Sequence, residues 1–156
     1  MNNFLTSNKE LIVLEVANNH QGDFEHALKI IDTYSEVTTG YREMFNFAIK
    51  FQYRNLSTFI HPDFKDSDLK FVKRFLSTQL TESEFINLKE HSEKKGFISM
   101  CTPFDEDSVE KVVQHEYGIL KIASASLDDW PLLEAISKHN NIEVIASVGG
   151  SSLEKI

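Results

Sequence analysis

The sequence predicts an α/β fold, a parallel sheet covered by helices, and three observations predict it. Short apolar runs alternate with helix-period segments about five times along the 156 residues, as βα units joined by crossovers do. The runs are uniformly apolar rather than alternating, which suits strands in a doubly covered sheet or a barrel better than half-solvated ones. Helix-start residues recur at Asp23, Thr81, Asp105 and Asp129, each just ahead of a helical stripe. A closed (β/α)8 barrel takes about 250 residues, so the chain supplies about five of its units.

Leu11-Ile-Val-Leu14 reads as the first strand. Phe24, Ala27, Leu28, Ile31 and Tyr34 then fall at helical spacing behind Asp23 as N-cap. Phe45 to Phe51 is the second strand; Asn55 to Asp68 is loop-like, broken at His61-Pro62-Asp63, and Leu69 to Leu76 is a short helix. Thr81-Glu-Ser-Glu84 is a capping box, opening a helix to about Lys95 that Gly96 stops. Phe97 to Cys101 is the third strand, followed by a helix carrying Val109, Val112 and Val113 behind Asp105. Gly118 to Ile122 is the fourth strand. Asp129 caps the next helix with Pro131 in its first turn, where a missing amide hydrogen costs nothing. Ile142 to Ala146 is the fifth strand. Residues 1–10 read as an N-terminal extension and 11–156 as one partial barrel domain. Ser151-Ser-Leu-Glu154 forms another capping box, yet only two residues follow it. That ending points to a chain cut inside its fifth helix, since an isolated helix needs about 12–15 residues. The bland alternative is a frayed turn on a complete small domain.

Sixteen basic and 24 acidic side chains leave a net charge of −8, a poor balance for binding nucleic acid through phosphates. No apolar run approaches the roughly 20 residues of a membrane helix, and the first ten residues lack the pattern of a signal peptide. One cysteine, Cys101, makes no internal disulfide; a reducing cytoplasm is the expected setting. Any anion must therefore meet a local basic site.

In α/β folds ligands bind at the carboxyl ends of strands. Lys50 and Lys121 stand there, embedded in apolar runs, where a lysine is rare and costly unless paired. Together they would make a positive site, with Thr102, Ser124 and the Ser147 to Ser152 stretch as hydrogen-bond donors. That set suits a phosphorylated or carboxylated ligand. The competing reading pairs the lysines structurally with Glu15 or Asp105, or has them snorkel to solvent. His20 either acts on substrate or bonds its own backbone. The six histidines are scattered and read as mostly surface residues, and no metal motif is present. Cys101 reads as a small buried hydrophobe, Trp130 as packed at a helix start, and Phe45, Phe47 and Phe51 as core. Asp105, Glu106 and Asp107 complement a helix dipole.

Glu15-Val-Ala-Asn-Asn-His-Gln-Gly-Asp23 resembles the opening motif of the sialic acid synthase family, N-acetylneuraminate synthase and its relatives. Ile49-Lys-Phe-Gln52, Cys101-Thr-Pro-Phe-Asp105, Lys121-Ile-Ala-Ser124, Trp130-Pro-Leu-Leu133 and Ala146-Ser-Val-Gly149 follow in the family's order and spacing. The resemblance covers about residues 11 to 156. It implies the N-terminal portion of a (β/α)8 TIM barrel. It also implies condensation of phosphoenolpyruvate with an N-acylated amino sugar such as N-acetylmannosamine, giving a nonulosonic acid and phosphate. By that resemblance Lys50, Thr102, Lys121 and Ser124 hold phosphoenolpyruvate, Ser147 and Ser151 extend its site, and Glu15 lies near the sugar aldehyde as a catalytic group. A divalent cation, manganese or magnesium, belongs to the full-length enzyme; its two histidine ligands come from later strands, so no metal ligand is assigned here. Ala17 stands where the family usually has glycine, Val148 where it has threonine, and Gly150-Ser151 where Met-Asn or a similar pair is common. Thr39 to Asn46 is longer than usual.

The isolated chain is expected to be inactive and to self-associate through the open edges of its first and fifth strands. Two other readings remain: a barrel aldolase forming a Schiff base at Lys50 or Lys121, and a non-catalytic interaction module that keeps a barrel fragment.

Overall fold

A computed structural model describes residues 8–154. The first seven residues, most of the expected extension, lie outside the described residues, as do 155 and 156. Five strands, β1 (Glu10–Glu15), β2 (Phe45–Tyr53), β3 (Ile98–Pro103), β4 (Ile119–Ile122) and β5 (Glu143–Ala146), form one sheet. Every neighbouring pair is parallel, in the order β1-β2-β3-β4-β5. A doubly wound sheet reverses its order at a switch point, whereas a barrel adds strands sequentially. The sequential order makes this a curled half-barrel, with β1 and β5 as its edges.

The register sorts the side chains into two layers, because residues of one parity share a face. Phe47, Ile49, Phe51, Cys101 and Leu120 face the helices and join Leu88, Val109, Val112, Leu132 and Ile136 in the main core. Ala48, Met100 and Ile119 cluster on the opposite, inner face, with Leu11, Ile98 and Ile145 partly buried around them. The helices are α1 (Phe24–Thr38), the single turn α2 (Leu56–Phe59), α3 (Lys70–Ser77), α4 (Glu82–Lys94), α5 (Glu106–Gln114) and α6 (Trp130–Ser137). Within the helical layer α1 packs on α4, and α5 on α6.

The start signals act as the sequence predicts. The carboxylates of Asp23, Asp105 and Asp129 accept from the amides of His26 (3.0 Å), Ser108 (2.8 Å) and Leu132 (3.3 Å). Thr81 and Glu84 close the capping box in both directions. Gly96, at φ +82°, takes the left-handed turn that ends α4.

Three expectations change. The segment 55–68 is not plain loop, since it carries α2 and a 3-10 turn at Pro62–Phe64. Ser151 and Ser152 are irregular and Leu153 and Glu154 form a turn rather than the first residues of a helix; a capping box supplies partners for orphan amides but not the packing that holds a helix. Trp130 is 68% exposed instead of packed. It occupies the first position of α6, ahead of the buried stripe Leu132, Ala135 and Ile136.

The loop after β1 is tightly wound, with Ala17, Gln21 and Gly22 at φ +43°, +56° and +78°. A Cβ at Gly22 would lie 2.7 Å from the carbonyl oxygen of Ser77, so backbone meets backbone at the end of α3. Asn18 Nδ2 donates to Thr78 Oγ1 at 2.9 Å across the same contact. The chain therefore presses the β1 loop against α3 at the carboxyl end of the sheet.

Candidate functional site

Four of the expected residues converge on the inner face at the strand ends. Glu15 pairs with Lys50 in register, Lys50 with Met100, and Met100 with Ile119, two residues before Lys121. Lys50 is 8% exposed and Thr102 1% exposed. The Lys50 ammonium forms an ion pair with Glu15 Oε2 and donates to Thr102 Oγ1 at 3.4 Å. Glu15 Oε1 accepts from the Ala17 amide at 3.0 Å, which ties the strand end to its own loop. Lys50 thus satisfies part of the structural reading as well: its partner is Glu15 and not Asp105.

Lys121 is different. It is half-buried and, among the described residues, has no ion pair and no side-chain hydrogen bond. Burial pulls its pKa below the ordinary lysine value, the charge of Lys50 pulls it further, and Glu15 opposes both. An unpaired ammonium beside a second ammonium is unfavourable by itself. It becomes favourable when an anion sits between the two.

The three serines stand farther along the rim. Ser124 opens a 3-10 turn just past β4 and is exposed. Ser147 continues the inner row two residues beyond Ile145, the partner of Lys121, and its amide donates to the Ile122 carbonyl at 3.0 Å. The Ser151 amide donates to the Val148 carbonyl at 3.2 Å. No described residue holds any of the three hydroxyls by a hydrogen bond. The structure brings Glu15, Lys50, Thr102 and Lys121 together, and leaves Ser124, Ser147 and Ser151 beside them without contact.

Other candidates resolve as structural. His20 is 2% exposed, and its Nδ1 accepts from the Gly22 amide at 3.1 Å. Burial lowers its pKa, so the neutral ring fastens its own loop. Of the six histidines His61 is exposed and four are half-buried, so His20 alone is buried. His91 meets Asp32 at 2.9 Å, His139 meets Glu110 at 3.1 Å, and His115 lies between Glu82 and Tyr53. Tertiary contact supplies those partners, and no local pattern shows them. Cys101 is fully buried, and burial pushes its thiol well up, which leaves it inert. Asp105 has both oxygens occupied: Oδ1 caps α5, and Oδ2 accepts from the Asn55 amide at 2.6 Å.

Sequence reasoning missed Arg54 and gave Gln52 no role. They continue the alternation from Lys50 along β2 and just beyond it, and Arg54 Nη2 donates to Gln52 Oε1. Reading every second residue onward from Lys50 was the available signal. Among the described residues no group of three or more His, Cys, Asp or Glu side chains gathers as a metal site. Glu15, the one carboxylate facing Lys50, is engaged by Lys50 and Ala17. The described residues do not by themselves fit a divalent cation.

Known proteins share this fold. The profile of the NeuB family matches residues 46–156. A crystal structure of spore coat polysaccharide biosynthesis protein E from Chromobacterium violaceum superposes with a TM-score of 0.89 at 44% identity, covering 94% of this chain and 43% of that one. N-acetylneuraminic acid synthetase from Leptospira borgpetersenii gives 0.78 at 32% identity, covering 96% and 48%. N,N'-diacetyllegionaminic acid synthase of Campylobacter jejuni is 29% identical over 159 aligned positions, covering 95% of this chain and 45% of its own length. The chain spans less than half the length of the curated relatives it matches. With a family match over more than two thirds of its residues, this chain belongs to the NeuB family.

Proposed function

We propose that the chain supplies the phosphoenolpyruvate-binding half of a synthase that condenses phosphoenolpyruvate with an N-acylated amino sugar, N-acetylmannosamine or a similar one. The observation that carries the reading is Lys121, an unpaired ammonium facing Lys50 at the carboxyl end of the sheet. The synthase names of the relatives give the reaction class.

In this reading Lys50 and Lys121 hold the phosphate and carboxylate of phosphoenolpyruvate, and Thr102 fixes the Lys50 ammonium by accepting its hydrogen bond. Ser124, Ser147 and Ser151, whose hydroxyls have no partner among the described residues, add donors around the same anion. The methylene carbon of phosphoenolpyruvate attacks the open-chain aldehyde, forming the new C–C bond. Water adds to the carbon bearing the phosphate, and the C–O bond to phosphate then breaks. Glu15 acts as a catalytic carboxylate beside that aldehyde, held in place by its ion pair with Lys50 and by the Ala17 amide. The fixed cations stabilise the anion throughout without reorganising. A manganese or magnesium ion of the whole enzyme would need ligands beyond those described here. The product is a nonulosonic acid of the sialic type, made in the cytoplasm. The isolated half binds phosphoenolpyruvate without turning it over.

Calorimetric titration with phosphoenolpyruvate tests this. Binding lost in Lys50→Ala or Lys121→Ala supports it, and a folded chain that binds nothing counts against it. The lowered pKa of Lys121 also suits an imine-forming lysine. Borohydride trapping with pyruvate separates the two: a covalent adduct at Lys121 would favour the aldolase, and none is expected.

The edges carry a second expectation. β1 and β5 each have one strand neighbour, and Ile12, Val13 and Val144 on them are 37–38% exposed. Unpaired edges bearing apolar side chains associate, so light scattering should show dimers or larger species. A clean monomer at micromolar concentration would contradict this.

A further inference from the structure

Arg54 lies where β2 runs out of the sheet, and it is unusually well fixed. Its guanidinium carbon sits 4.2 Å from the ring centre of Phe104, 4.7 Å from Phe75 and 5.8 Å from Phe59. Nη2 donates to Gln52, while Nε is buried with no hydrogen-bond partner. Among the described residues no carboxylate forms an ion pair with Arg54, although the protein has eight more acidic than basic side chains. The carboxylates near enough to act on it are Asp105 and Glu15. Both are committed elsewhere, Asp105 to the amides of Asn55 and Ser108, and Glu15 to Lys50 and Ala17. An arginine clamped by aromatic rings and lacking a counter-ion is preorganised for an oxyanion.

A second arginine shares its surroundings. Arg74 of α3 is exposed, and it too has no ion pair among the described residues. Arg54 and Arg74 line one cavity of about 560 Å3, with Asn18, Asn19, Gln52 and Thr78 among its other polar walls. No acidic side chain lines that cavity. It opens beside the reactive end of the sheet, since Lys50, Gln52 and Arg54 alternate along one strand. Four residues of extended chain separate Lys50 from Arg54 by about 13 Å. A sugar with its aldehyde near Glu15 and Lys50 would therefore extend its far end toward the two arginines.

We propose that Arg54 and Arg74 form an oxyanion subsite that selects a second substrate carrying a phosphoryl or carboxyl group at the end remote from its aldehyde. The inference rests on the synthase reading for the position of the aldehyde. Two guanidiniums with five amide or hydroxyl side chains match an anion of that kind better than the hydroxymethyl end of a neutral sugar.

The test is calorimetric titration of the chain with three sugars: N-acetylmannosamine, its 6-phosphate and its 6-carboxylate. At least one anionic sugar should bind about tenfold or more tightly than the neutral one. Arg54→Gln and Arg74→Gln should each cut that preference to about threefold or less, whichever group the wild type prefers. Arg54→Gln removes aromatic stacking and will lower the melting temperature. The preference ratio, unlike stability, does not move if Arg54 is only a packing residue, and exposed Arg74 gives a variant that leaves the core intact. Equal affinity for all three sugars, binding of none, or a preference retained in both variants would overturn the proposal. Phosphoenolpyruvate is titrated separately. Its failure to bind would remove the synthase reading, whereas a retained preference for anionic sugars would leave the subsite standing.

Discussion

Replacing Phe51 by alanine is expected to cost about 3–5 kcal/mol of folding stability. Phe51 is fully buried toward the carboxyl end of β2, on the face that meets the helices. It is paired in register with Cys101, and its ring meets the edge of Tyr117 at 6.4 Å between centroids. The phenyl ring is closed in by sheet and helix, so its removal leaves a cavity that the rigid sheet cannot collapse to fill. A typical domain has about 5–15 kcal/mol in total, so about a fifth or more of the stability is at stake. Trp130→Ala supplies the contrast. It removes a larger ring that is 68% exposed, and should fall within about 0.5 kcal/mol of wild type. Urea unfolding of the two variants measures both. If Phe51→Ala costs no more than Trp130→Ala, the helix-facing layer is not the core.

That pair of aromatics also shows what was legible in the sequence. The five strands were readable because each is a short apolar run between helix signals, and the main caps because Asp or Thr must satisfy amides that a helix leaves open. The half-barrel itself was foreseen as a fold class; the sequential strand order that distinguishes it from a doubly wound sheet is a long-range fact. Trp130 was misplaced because residue type suggests burial, whereas its position at the first turn of α6 puts it outside the packed stripe. The partners of His91, His115 and His139 were not legible at all: Asp32, Glu82 and Glu110 come from other elements.

The site was half legible. Lys50 and Lys121 stood out because a lysine inside an apolar run has to be explained. The parity of their strands then placed them on one face. Their unequal status was invisible, since only the register brings Glu15 against Lys50 and leaves Lys121 alone. Arg54 escaped notice because it falls between the expected end of the second strand at Phe51 and the loop-like segment from Asn55, whereas the strand runs on to Tyr53. The three phenylalanines that hold it come from α2, α3 and the end of β3.

Lys121→Met should weaken phosphoenolpyruvate binding by about tenfold to a hundredfold, the worth of one hydrogen-bonded charge on the ligand. The same change should not destabilise the chain at neutral pH. It removes a half-buried cation repelled by Lys50 and keeps the apolar stem, so the expected change is a gain of about 0–1 kcal/mol. The sign of the pH dependence follows from the direction of the shift. Folding depresses the pKa of Lys121, so between the depressed value and the ordinary one the unfolded chain binds more protons. Wild-type stability therefore rises with pH through that window relative to Lys121→Met, as the penalty for the charge is lifted. Ligand affinity runs the other way, because a neutral Lys121 no longer attracts the anion, and it should fall in the alkaline range below the ordinary lysine pKa. Lys50→Met differs in kind. It strips Glu15 of its counter-ion and Thr102 of its donor. It should lose both stability and binding, though by less than the about 3–5 kcal/mol of a fully buried pair, since Glu15 is 41% exposed. Urea unfolding and calorimetry across neutral to alkaline pH separate the two lysines. A Lys121→Met chain that is less stable yet binds normally would make Lys121 a structural residue and move the anion site elsewhere on the sheet.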